Sequence, residues 1–163
     1  MKTETLRELM IDELQDLHSA EQQIVKALPK LIKASHNPSL KQAFEHHLEE
    51  TKNHVTRLDK IFKHLSESPK GKTCEGMKGL LKEGEERISD GGEPEVVDAG
   101  IISAAQRVEH YEIAAYGSAR TYAELLGDRE AVRLLSETLE EEKAADAKLT
   151  QVARTVNVEA KAA

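Results

Sequence analysis

The residues with the most chemistry to offer are acids and imidazoles that stand where helical periodicity expects apolar side chains. In the stripe Leu14, Leu17, Glu21, Ile24, Leu28, Leu31, a carboxylate interrupts a row of core residues at three- and four-residue spacing. A second stripe, Phe44, His47, Thr51, His54, Leu58, Ile61, Leu65, carries two imidazoles, with Glu50 beside it between them. A third, Ile102, Ala105, Glu109, Glu112, Tyr116, Ala119, Ala123, sets two carboxylates one turn apart. The fourth, Leu135, Thr138, Glu142, Ala145, Leu149, Val152, contributes Glu142, and Asp146 follows one turn later on an adjoining row.

Burying one unpaired carboxylate is costly, and several facing one interior repel and take up protons unless cations neutralise them. Oxygen-rich donor sets with one or two imidazoles suit iron or manganese. The expected ligand set is therefore Glu21, Glu50, His54, Glu109, Glu112, Glu142 and Asp146, holding two iron ions, or alternatively two manganese ions, per chain. His47 is a second imidazole candidate on the same face as His54. The general four-helix arrangement uses one Glu from each of two helices and a Glu-x-x-His pair from each of the other two. This chain departs from it: Thr51 precedes His54 at that spacing, and Ala145 follows Glu142. Glu50 with His54, and Glu142 with Asp146, offer i,i+4 pairs that also lie on one helix face.

Such stripes need long helices to carry them, and the punctuation supplies them. Breaks fall at His36 to Ser39, Ser66 to Lys72, and Asp90 to Pro94, with a weaker one at Gly127-Asp128. Four long helices are predicted, from about Thr3 to Ala34, Ser39 to Leu65, Pro94 to Leu126 and Asp128 to Val156, each roughly 40 Å long at ~1.5 Å per residue. Thr3, Ser39 and Asp128 read as N-terminal caps and Pro94 as a first-turn residue. Pro29 predicts a kink or an early end of the first helix. Cys74 to Ser89 reads as a short helix within a crossover long enough to return along the bundle. This is the connectivity of an all-α, ferritin-like, up-down four-helix bundle with a short fifth helix in its crossover. Residues 1–157 are expected to form that one domain, and 158–163 a short tail. The two halves also repeat weakly, Leu48 to Lys52 matching Leu139 to Lys143, and Ala20 to Ile24 matching Val108 to Glu112.

Composition agrees with this reading and excludes others. The chain has 163 residues, a net charge of −7, 39% hydrophobic and 3% aromatic residues, no Trp and one Cys. The negative balance and the absence of a dense basic cluster argue against nucleic acid. No apolar run approaches the ~18 residues of a membrane span, and MKTETLRELM lacks a signal-peptide core, so no membrane partner and a cytoplasmic location are expected. Cys74 has neither a second Cys nor a paired His, which makes a catalytic thiol improbable. Tyr116 is expected to be buried with its hydroxyl satisfied. His18, His36, His46, His64 and His110 fall off the four rows and receive no role.

The segments LQDLHSAEQQ, HLEETKNH, QRVEHYEIAAYG and TLEEEKAAD resemble the ferritin-like bacterial family of YciE/YciF-type stress proteins, over residues 1 to about 155. That resemblance implies a four-helix ferritin-like bundle, a homodimer and a role in stress. Glu109 and Glu112 also resemble the pair of glutamates on the third bundle helix of rubrerythrin-like proteins, and Glu21 their first-helix glutamate; the fourth-helix His is missing. The function expected is a dinuclear carboxylate protein that oxidises ferrous iron or reduces oxygen or peroxide. The alternative is a non-catalytic bundle that serves structure or interaction.

Overall fold

The structure is a computed structural model that describes residues 3–163. Met1 and Lys2, at the start of the expected domain, lie outside the described residues. Five helices follow in order: α1 Leu6–Ala34, α2 Pro38–Leu65, α3 Glu75–Asp90, α4 Pro94–Leu125 and α5 Arg129–Ala162. There is no strand among the described residues.

Local chemistry sets the helix ends. The first cap is Thr5 rather than Thr3, because only Thr5 has a Glu three residues later to close a reciprocal capping box with Glu8. Pro29 does not end α1, which continues to Ala34. Its ring sits on the exposed face, where water can replace the lost backbone bond. The second cap is Asn37, whose side chain accepts from the amides of Ser39 and Leu40, with Pro38 in the first turn. α5 runs beyond the expected Val156 to Ala162. Between α4 and α5, Gly127 takes φ +75°, and Asp128 caps α5 by accepting from the Ala131 amide.

α1 packs against α2, and α4 against α5, as the two hairpins; α1 also meets α4 and α2 meets α5, while α3 lies against α1 and α4. The crossover is tied down at Cys74, whose amide donates to Ser19 Oγ and whose carbonyl accepts from Gln23. Its buried thiol lies 3.0 Å from the Tyr111 hydroxyl, which donates to Asp16 at 2.7 Å. Gly76 lets the start of α3 approach this Tyr, since a Cβ there would come within 2.8 Å of the ring. In the same half of the bundle, buried Asp98 of α4 accepts from the His36 and Asn37 amides and so holds the α1–α2 turn.

The apolar core falls into two lobes. One, around Phe62, joins the start of α1, the ends of α2 and α4 and the start of α5. The other, around Phe44, joins the opposite ends of those helices with Cys74 and Met77. Between the lobes lies a buried layer formed by Glu21, His47, Thr51, His54, Glu109, Glu112 and Glu142. Among the described residues no helix is long and apolar enough to cross a membrane.

Candidate metal centre

Each long helix brings its interruption to the same level. α1 supplies Glu21, α2 supplies His47 and His54, α4 supplies Glu109 and Glu112, and α5 supplies Glu142. Two overlapping groups result, with ligand atoms in each within 4.8 Å of one another: His47, Glu109, Glu112 and Glu142 form one, Glu21, His54 and Glu142 the other. Glu142 belongs to both.

The imidazoles approach this cluster through different nitrogens. His54 Nδ1 is 2.9 Å from Glu142 Oε1 and 3.3 Å from Glu21 Oε1, whereas His47 Nε2 is 3.3 Å from Glu109 Oε1 and 3.7 Å from Glu142 Oε2. The nitrogen on the far side of each ring meets a carboxylate. His54 Nε2 is 2.8 Å from Glu141, and His47 Nδ1 is 3.2 Å from Glu50. Glu141 in turn accepts two hydrogen bonds from Arg57, at 2.6 and 2.8 Å. The Tyr116 hydroxyl donates to Glu21 Oε1 from a fully buried ring.

Electrostatics reflect this crowding. Burial holds the Glu112 carboxyl well above its ordinary range, reinforced by Glu142, Glu21 and Glu109. Glu109 is raised likewise by burial, which the nearby His47 only partly opposes. For His54, burial works against the charged ring, but the Glu142 and Glu21 carboxylates prevail and push it up to about 11. His47 is raised against the effect of burial by Glu109 and Glu50. The bond from Arg57 holds Glu141 below its usual value.

Glu21, His54, Glu109, Glu112 and Glu142 are thus brought together, as the sequence leads one to expect. Two members of the expected set are not. Glu50 stands behind His47, shared with exposed His46 at 3.1 Å, and does not face the cluster. Asp146 is displaced to the outside, where it accepts from Gln106 and lies 3.2 Å from His110; four residues after Glu142, its row has rotated past the interior. His47, left as the second imidazole candidate, enters instead.

Thr51 contributes no donor because its hydroxyl turns back onto the His47 carbonyl at 2.8 Å. Ala145 stands where a fourth-helix His would project, and it lines the same cavity as His47. Glu109 and His47 restore what Thr51 and Ala145 remove, so the cluster retains four carboxylates and two imidazoles. Beside it, between α2 and α5, a cavity of about 410 Å³ is lined by His46, His47, Glu50, Glu109, Ala145 and Lys148, among others.

Residues 5–163 match the family model described as a domain of unknown function, DUF892. The chain belongs to the DUF892 family. Within this family it is 48% identical over 154 residues to Protein YciF of Escherichia coli strain K12, covering 94% of this chain and 93% of that protein. It superimposes on the crystal structure of the E. coli stress protein YciF with a TM-score of 0.92, at 46% identity over 94% of this chain and 98% of that one. YcfI of Rhodopseudomonas palustris gives a TM-score of 0.88 at 46% identity, over 90% of this chain and 94% of that one. The ferritin-like bundle of this DUF892 chain is therefore shared with YciF.

Proposed function

We propose that this DUF892 chain is a dinuclear iron or manganese protein that acts on ferrous iron together with oxygen or peroxide in a stress response. One observation carries the reading. Of nine buried side-chain nitrogen and oxygen atoms without a neutral hydrogen-bond partner among the described residues, eight belong to Glu21, His47, His54, Glu109, Glu112 and Glu142, and of these only His54 Nδ1 and Glu142 Oε1 meet closely, as an ion pair at 2.9 Å when the ring is charged. Each buried polar atom left unpaired costs about 1–3 kcal/mol, so a cluster of them marks groups arranged for something else. Two divalent cations fit the donors in number and kind. Four carboxylates balance their charge, and hard oxygens with two imidazoles suit iron or manganese over softer metals.

Iron or manganese bound there would supply redox chemistry toward dioxygen or peroxide. The side chains provide the setting. Glu142 belongs to both groups; Glu21 with His54, and Glu109 and Glu112 with His47, would hold the ions. Tyr116 fixes one oxygen of Glu21. The two apolar lobes keep water away along the bundle axis, leaving the α2–α5 cavity as the approach for small reactants. The description of YciF as a stress protein supports the physiological setting.

The test is metal analysis of protein purified without chelators, followed by anaerobic Fe(II) titration and exposure to oxygen or peroxide under an absorbance trace. About two ions per chain are expected, with rapid oxidation of the bound iron. Absence of stoichiometric binding would leave a ferritin-like scaffold with another task.

A further inference from the structure

The two imidazoles look alike in sequence but are held very differently. Behind His54, Glu141 lies 2.8 Å from Nε2 and is gripped at both oxygens by Arg57. Arg57 is itself steadied by Thr138 Oγ1 and Glu137, each at 3.3 Å. This chain of contacts joins α2 to α5 and restrains the imidazole: with Nε2–H kept toward Glu141, loss of the Nδ1 proton to a metal would leave the Nδ1 lone pair directed at Glu21 and Glu142. Behind His47, Glu50 divides its oxygens between His47 and His46, and the His46 side chain is 75% exposed. Among the described residues no guanidinium fixes Glu50, and the cavity between α2 and α5 opens onto this half: His47, Glu50 and Glu109 line it, whereas His54, Glu21 and Glu141 do not.

We propose that Glu141 and Arg57 are positioning residues that make the two metal positions unequal, the His54 position holding a resident ion and the His47 position holding an exchangeable one that enters from the cavity. The inference rests on the dinuclear reading above. Carboxylate partners that orient a ligating imidazole are worth about ten- to a hundred-fold in metal affinity. A partner already immobilised by a bidentate Arg loses less freedom when the metal binds than one shared with a solvent-exposed ring. Donor number by itself favours the His47 position, which adds Glu112 to its own Glu, its His and the shared Glu142, so the order proposed here is set by the contacts behind the rings and by the cavity.

Co(II) alone, titrated into chelator-treated protein and followed by its visible absorption bands, reads the two positions separately. Wild type should bind in two steps whose affinities differ by about ten-fold or more. Glu141→Ala should weaken the tight step by about ten- to a hundred-fold and leave the weak step within two-fold. Glu141→Gln, which keeps an acceptor oxygen toward His54, should recover most of the loss. Glu50→Ala should weaken only the second step. Far-ultraviolet dichroism on each variant checks the fold; both substituted residues are partly exposed, and the isosteric Gln variant gives a second route to the same answer. Two ions bound as a single class in wild type, or Glu141→Ala and Glu50→Ala acting on the same step, would overturn this inference while leaving the metal centre standing. No Co(II) bound by wild type would overturn both.

Discussion

The middle layer of this bundle and the two lobes that flank it are built from the same helices by opposite rules. In the Phe62 and Phe44 lobes, rows of Leu, Ile, Met, Ala and Phe meet with almost no solvent exposure, and their burial stabilises the fold. In the layer between them, acids occupy the same rows at equal depth and most of their oxygens have no partner. Such a layer weakens the metal-free fold, a cost that the proposed metal binding would offset. The lobes carry the stability that tolerates the layer.

The sharpest way to separate the two is to cut each in turn. Phe62 is 1% exposed within its lobe and packs edge-on to His18. Phe62→Ala should cost about 3–5 kcal/mol in denaturant unfolding without changing the number of ions bound. In the layer the sign reverses. Glu112→Leu replaces a fully buried, unpartnered carboxyl with an apolar side chain of similar volume. It should stabilise the chelator-treated protein by about 1–4 kcal/mol and abolish stoichiometric binding of at least one ion. Destabilisation by Glu112→Leu, with metal content unchanged, would erase the distinction between layer and lobe.

Titration gives a weaker but broader contrast. In the metal-free fold the Glu109 and Glu112 carboxyls are held above their ordinary value of 4.5, and His54 is raised from 6.5 to about 11. In each case the folded state keeps a proton that the unfolded chain has released. Their contribution is fully present below the unfolded values and is lost as pH rises toward the folded ones. Between pH 6 and 9 the chelator-treated protein should therefore lose thermal stability, by about 3 °C or more. The ion-loaded protein should not follow, because metal binding favours deprotonated ligands and strengthens with pH. Parallel curves for the two forms would mean that the layer is not the metal site.

The lobes were more legible than the layer. Three- and four-residue periodicity, Pro94 and the Asp128 cap place the helices because those signals are local. Glu21, Glu109, Glu112, Glu142 and His54 are legible for the same reason, each being a polar residue inside an apolar row. His47 belongs to the cluster although the Glu-x-x-His spacing does not select it; its position two turns before His54 on one stripe was the available signal. Glu141 is hidden more deeply. It stands in the run Glu140-Glu141-Glu142-Lys143, which reads as a solvated face, and only Arg57, reaching across from α2, distinguishes it. Asp146 misled because i,i+4 spacing defines a shared face without saying how far that face turns from the axis. Partners on another helix are tertiary facts, and no periodicity encodes them.

Tyr116 belongs to both regions and permits the finest cut. Its ring is part of the Phe62 lobe, and its hydroxyl donates to Glu21 in the layer. Tyr116→Phe keeps the ring and removes only the hydroxyl, so it probes the layer with the lobe intact. One hydrogen bond to a buried acceptor is worth about 1 kcal/mol net, and the chelator-treated variant should lose about that much in denaturant unfolding. Metal stoichiometry should remain as in wild type, while the step assigned to the Glu21 and His54 position weakens several-fold, since Glu21 is then free to rotate. A loss near that of Phe62→Ala would place the hydroxyl among the supports of the lobe. No change in either measurement would mean that Glu21 is held by its other neighbours, and that the boundary between lobe and layer runs above the Tyr116 hydroxyl.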